Sequence, residues 1–168
     1  MAWSLTAPAL PSGSSWAQVG TTYLDQDNLK LTSVVSVARL NGNGFAVRVA
    51  ETRNVHTTSL TDFFRYYHRC DIGGTTGTAF TGNWLDVGNN NTTQYFYVTG
   101  EAAPGTSIKI TLGVTPDRED LMKTVSFTAP ALLGPELRLN VGGTAHRVTK
   151  ILFNAAGASK EIVLKYNP

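Results

Sequence analysis

The run from Ser33 to Leu40 is rich in β-branched residues and leads into Asn41-Gly42-Asn43-Gly44. Beyond that turn Phe45, Val47 and Val49 alternate with Ala46, Arg48 and Ala50. Period-two alternation marks a strand with one face buried, and Asn-Gly tolerates the positive φ that a tight hairpin needs, so residues 33–53 are expected to form a hairpin. The pattern continues downstream. Phe80–Val87 reads as a strand, Gly88-Asn89-Asn90-Asn91 as a turn and Gln94–Thr99 as its partner strand. Ala103-Pro104-Gly105 turns the chain into Ile108–Leu112, and Pro116–Asp120 turns it again into Thr124–Thr128. Short strands separated by regular turn signals predict an all-β fold, an antiparallel β-sandwich or barrel.

Two segments break this rhythm. Leu60, Phe63, Phe64 and Tyr67 recur at helical spacing behind Ser59 and Asp62, which resemble a capping pair, so one short helix (about 59–69) is expected. A strand reading of the same residues, with aromatics on both faces, stays open. Residues 1–20 carry Pro8, Pro11, Gly13 and Ser12, Ser14 and Ser15, and read as an extended arm. Trp3 and Trp16 lie in this arm. A free tail gains nothing by exposing tryptophan, so both are expected to dock on the body or on a neighbouring copy.

The segment 137–166 repeats itself. Leu139-Asn140-Val141-Gly142-Gly143-Thr144-Ala145-His146-Arg147-Val148 lines up with Phe153-Asn154-Ala155-Ala156-Gly157-Ala158-Ser159-Lys160-Glu161-Ile162. Each unit reads as a hairpin in which Gly143 or Gly157 supplies the turn and Val148 or Ile162 restarts a strand. The expected organisation is therefore an arm over 1–20, a β-sandwich body over 21–134 and a C-terminal β-hairpin repeat over 135–168. The repeat resembles the tandem strand, Asn-Val-Gly-Gly-Thr-Trp-Lys-Glu-Val, strand units near the ends of many structural proteins of tailed bacteriophages, especially tail and fibre-type proteins. It departs from them where Ala145 and Ser159 replace the aromatic residue and Ala155-Ala156 replaces Val-Gly. The resemblance covers the repeat alone. It implies a virion protein made in the host cytoplasm, whose partners are other copies of itself and neighbouring virion proteins. A tail or fibre position is favoured, with capsid decoration or a head–tail neck position as alternatives. The assembly contacts expected from the residues are Trp3 and Trp16 in the arm and Gly142, Gly143 and Gly157 in the turns.

Composition sharpens this without adding chemistry. Charged residues are 15% of the chain and hydrophobic residues 42%, with a net charge of +2. Few and scattered charges suit surfaces that become covered, and they argue against nucleic-acid binding. No apolar stretch is long enough for a membrane-spanning helix, and the first basic residue is Lys30, so neither a membrane partner nor a signal peptide is expected. The single cysteine, Cys70, excludes an internal disulfide and a Cys-cluster zinc site. His56, Asp62, His68, Cys70 and Asp71 are close in sequence, but they show no spaced ligand set, and His68 and Cys70 are expected to point to different sides. Gly73–Gly77 follows the predicted helix instead of opening one, so it does not read as a phosphate cradle. Asp117–Asp120 reads as a solvated turn. No metal, cofactor or catalytic set is expected, and the chain reads as non-enzymatic. The alternative class is a carbohydrate-binding, lectin-like module for a host-surface glycan, using Trp84, Tyr95 and Tyr97 beside Asp86 and the Asn-rich turn. Alternation places Tyr95 and Tyr97 on one face of their strand and Phe96 and Val98 on the other.

Overall fold

Period two governs almost the whole of the computed structural model, which describes residues 1–26, 29–55, 65–84, 92–115, 121–132, 138–141, 144–152 and 163–166. The chain divides into two units, Met1–Leu132 and Leu133–Pro168. The first holds β1 (Trp3–Ser4), β2 (Ala17–Gln26), β3 (Leu29–Arg39), β4 (Gly44–Val55), β5 (Arg65–Ile72), β6 (Phe80–Trp84), β7 (Thr93–Glu101), β8 (Ser107–Thr115) and β9 (Lys123–Thr128). A five-stranded sheet in the order β1-β7-β4-β3-β2 packs on a four-stranded sheet in the order β6-β5-β8-β9. Every described pairing is antiparallel. The fold of this unit is an all-β sandwich.

The expected hairpin is present as β3 and β4, which pair from Leu29↔Val55 to Arg39↔Phe45. Gly42 takes φ +58° in the connecting turn, a conformation that disfavours any side chain with a Cβ. Alternation then sends Leu31, Val35 and Val37 of β3, Phe45, Val47 and Val49 of β4, and Phe96 and Val98 of β7 into the gap between sheets. Ile108, Ile110, Leu112 and Val114 of β8 face them, with Tyr66 and Cys70 of β5. Each large side chain removed from water here contributes about 1.5–3 kcal/mol.

Four expectations are corrected. Arg65–Arg69 belong to strand β5, not to the C-terminal half of a helix; the remainder of the predicted helix, 59–64, lies outside the described residues. Along β5 the side chains of Tyr66, His68 and Cys70 are buried while Arg65, Tyr67 and Arg69 are half-buried, a period-two alternation that the aromatic spacing concealed. For the same reason His68 and Cys70 share the inward face and do not diverge. Next, Phe80–Trp84 does not pair with Gln94–Thr99. β6 pairs with β5 in one sheet, whereas β7 pairs with β4 and β1 in the other, so the chain changes sheets between them. Finally, the arm is partly regular: Trp3–Ser4 is a short edge strand on β7, and β2 begins at Ala17. The Ala103-Pro104-Gly105 turn is present, closed by the Thr106 N–H donating to the Ala103 carbonyl at 3.1 Å.

The second unit is a three-stranded antiparallel meander in the order β10-β11-β12, formed by β10 (Arg138–Val141), β11 (Thr144–Leu152) and β12 (Val163–Tyr166). β10 and β11 pair from Arg138↔Arg147 to Val141↔Thr144, which puts the first repeat on a hairpin. The turn glycines Gly142, Gly143 and Gly157 lie outside the described residues.

Candidate functional site

The outer face of the five-stranded sheet gathers aromatic side chains around one cation. Arg48 on β4 and Tyr97 on β7 are Cα partners across the ladder, so both project outward. Trp16, just ahead of β2, folds back over them. Its ring centroid lies 6.0 Å from that of Tyr97 and 5.0 Å from the Arg48 guanidinium carbon. Tyr95 reaches the same guanidinium from the other side, at 5.9 Å. Arg48 also donates to Ser36 Oγ at 3.5 Å. A guanidinium over aromatic faces contributes about 0.5–1 kcal/mol per contact at an exposed site, so the group is a modest but oriented clamp.

Beside the clamp two rows of the sheet carry no charge, ahead of the exposed Asp25–Lys30 ion pair in the row beyond. Tyr95, Ala50, Val34 and Thr21 form one cross-strand row, and Thr93, Thr52, Thr32 and Tyr23 form the next. Tyr95 is 45% exposed and Tyr23 53%, so an aromatic ring stands at each side of the patch. Between them Thr52 and Thr93 share a hydroxyl hydrogen bond of 2.7 Å. Such a face offers flat apolar contact and hydroxyl groups without the desolvation cost of a charge.

Trp3 sits elsewhere. Its register partner is Val98, and its ring enters the gap between the sheets, 5.0 Å from His68 and 6.4 Å from Phe80. Its indole N–H is buried without an acceptor. His68 is fully buried, with Phe96 at 4.3 Å on another side. Its Nε2 lies 3.1 Å from Oε1 of Glu51, which is also fully buried, although the angle leaves the ring nitrogen without a well-formed hydrogen bond. Ser33 donates to the same carboxylate oxygen at 2.9 Å, and Arg53 donates to the Tyr66 hydroxyl at 3.0 Å. Ser, Glu and His are therefore together, with the serine hydroxyl donating to the carboxylate and not to the imidazole. Burial pushes the Tyr66 phenol up to about 12 against the pull of Arg53, and pushes the Cys70 thiol up to about 12 as well.

The outer face of the four-stranded sheet carries an ion-pair cluster. Asp71 accepts from Arg69 through both carboxylate oxygens, at 3.0 and 3.2 Å, from the Gly77 N–H at 3.0 Å, and pairs with Lys109 at 3.3 Å. Burial alone would raise this carboxyl, but the Gly77 N–H, Arg69 and Lys109 outweigh it and hold it below its ordinary value. The adjoining recess of about 250 Å3 is lined by Asp71 and Lys109 themselves, with Gly74 and the hydroxyls of Thr76, Ser107 and Ser126. Among the described residues no three His, Cys, Asp or Glu side chains converge as a metal site would require.

The structure thus brings Trp16, Tyr95 and Tyr97 together and leaves Trp3 on a separate seat. Trp84 ends β6 in the opposite sheet from Tyr95 and Tyr97, so the three do not share a strand pair as the hairpin reading implied. Arg48, Tyr23, Glu51 and His68 were not singled out together by the sequence pattern. Arg48 is legible only as the charged member of an outward-facing row, and the Glu51–His68 contact joins two sheets and has no local signature. No protein-family model, curated protein or solved structure matches the chain.

Proposed function

We propose that this protein is a non-enzymatic structural component of a bacteriophage virion, associated with the tail or fibre, which assembles with copies of itself and with neighbouring virion proteins. The observation that carries the assembly part is the uncharged outer face running from Tyr95 through Ala50 and Val34 to Thr21 and bordered by Tyr23. Two exposed tyrosines flanking small and β-branched residues form a surface that gains by being covered. The virion part rests on the resemblance of the C-terminal repeat.

Two measurements test it together. Light scattering should show mass rising with concentration for the intact chain and a monomer for a Val34→Lys, Tyr95→Lys double variant. Mass spectrometry of purified phage particles should find the chain in stoichiometric amount. A chain that stays monomeric and is absent from particles overturns the reading.

A second reading, a glycan-binding module, draws on the exposed Tyr95 ring beside Arg48 and the threonine hydroxyls. Trp84 contributes to it only from the other sheet, and Tyr97 is half-covered by Trp16. Specific glycan-array binding by the monomer, abolished in Tyr95→Ala, would favour it over assembly.

A further inference from the structure

We infer that the seat occupied by Met1–Ser4 is an exchangeable one, which accepts the same four residues from a second copy of this chain; the inference rests on the assembly reading and adds a second contact to the outer-face one. The seat is built for this segment. Trp3 and Ser4 pair with Val98 and Tyr97 on the edge of β7, and the Trp3 ring fills the gap beside His68 and Phe80. Gly100 makes room for Met1, whose side chain stays 45% exposed. A Cβ on Gly100 would come within 2.8 Å of the Met1 sulfur and 2.9 Å of the Phe45 ring, and one on Gly77 would strike the Cys70 carbonyl and lie 3.5 Å from the Met1 methyl. Gly100 thus keeps space for the Met1 sulfur, while Gly77 is required by the Cys70 carbonyl beside it.

The tether to that slot is exposed over its first half and anchored over its second, where the Ser14 N–H donates to the Pro11 carbonyl and Ser14 Oγ donates to the Arg39 carbonyl. Leu5, Thr6, Ala7 and Ala9 are exposed, and a cleft of about 590 Å3 lies between Ala9–Pro11 and the body at Leu40, Asn41 and Glu101. Pro8 and Pro11 bias Ala7 and Leu10 toward extended backbone. Leu5–Leu10, drawn out with the Ser14 anchors kept, reaches roughly 20 Å, which lets Trp3 be seated on an adjoining copy while Trp16 keeps its own place over Arg48. Only two residue pairs join β1 to β7, and the Trp3 N–H is left unpaired there, so release is easy. The contacts made in a neighbour's slot are those made in the chain's own, which is the condition under which exchange of an identical element costs little. The edge of β7 would then be completed by another copy, joining subunits by backbone pairing.

The test uses full-length chains. One carries Ser4→Cys and the other Tyr97→Cys, positions that face each other across the β1–β7 ladder. Mixed under oxidised glutathione at rising concentration, they should yield a disulfide-linked pair containing one chain of each kind, and Trp3→Ala in the Ser4→Cys chain should abolish it. A chain carrying both cysteines that closes its own disulfide, with no mixed product at any concentration, overturns exchange. Light scattering of the Trp3→Ala chain gives a readout that leaves Tyr97 intact. Assembly that falls to monomer supports exchange, and assembly that persists overturns it while leaving the assembly reading standing. An intact chain that never assembles overturns both.

Discussion

Glu51 and His68 meet at 3.1 Å across the space between the two sheets, and neither exposes any surface. Glu51 comes from β4 of the five-stranded sheet and His68 from β5 of the four-stranded one, so the contact ties the halves of the sandwich where the remaining core is mostly apolar. A carboxylate in such a place must be compensated, and Ser33 and His68 are the groups at hand. Removing one partner is therefore a different experiment from removing both. His68→Phe removes the ring nitrogen that faces the buried Glu51 carboxyl and is expected to lower stability in chemical denaturation. The double variant Glu51→Leu, His68→Phe removes the buried carboxyl as well and should recover most of that loss. Equal losses in the single and double variants would show that the pair does not act as a unit.

How much of this was legible in the sequence depends on distance along the chain. The β3–β4 hairpin was readable because Asn41–Gly44 and the flanking alternation are local signals. The inward placing of Phe96 and Val98 opposite Tyr95 and Tyr97 followed from the same period. Residues 65–69 were misjudged because Leu60, Phe63, Phe64 and Tyr67 fit a helical stripe, while the Arg65-Tyr66-Tyr67-His68-Arg69-Cys70 alternation fits a strand. The pairing of β5 with β8 over eight consecutive register partners supplies hydrogen bonds that no local pattern encodes. Pairing β6 with β7 failed for a related reason: adjacency in sequence favours a hairpin, yet a sandwich lets the chain cross between sheets. Of the site, Trp16 and Tyr97 were visible as residues but not as neighbours, since their meeting depends on the chain folding back ahead of β2.

Cys70 is expected to be chemically silent in the folded protein. It faces the core at 1% exposure, and burial lifts its thiol from 9.0 to about 12. The reactive thiolate is then about a thousandfold rarer than in an exposed cysteine. Iodoacetamide at mildly alkaline pH should leave the native chain unmodified and label it fully in denaturant, with mass spectrometry as the readout. Rapid labelling of the native chain would mean that β5 opens far more readily than its central position implies.

The clamp on the outer face makes its own prediction. Trp16→Ala removes the ring that covers Arg48 and Tyr97 but no part of the inter-sheet core. Stability should fall by only about 1–2 kcal/mol, in keeping with a half-buried cation–π group. Arg48→Met keeps the length of the side chain and loses the charge, so it should shift Trp16 fluorescence with a smaller loss of stability. A collapse of the fold in either variant would mean that the segment ahead of β2 is part of the core.

Asp71 sets the response to acid. Its carboxyl is held below its ordinary value of 3.8 in the folded chain, because the Gly77 N–H, Arg69 and Lys109 together exceed the cost of its burial. A carboxylate with a depressed folded value binds its proton more readily when unfolded, so the unfolded state gains protons first as pH falls. The stabilisation from Asp71 is therefore fully present above about pH 4, where the unfolded residue is ionised. It declines as pH drops below that point and is gone once the folded carboxyl is protonated too. Asp71→Asn should accordingly be less stable than the parent at neutral pH, and the gap between them should narrow on acidification through this window. Denaturation midpoints of the two chains at a series of pH values measure that gap directly. A gap that stayed constant with pH would show that Asp71 acts through packing against Gly77 and not through its charge.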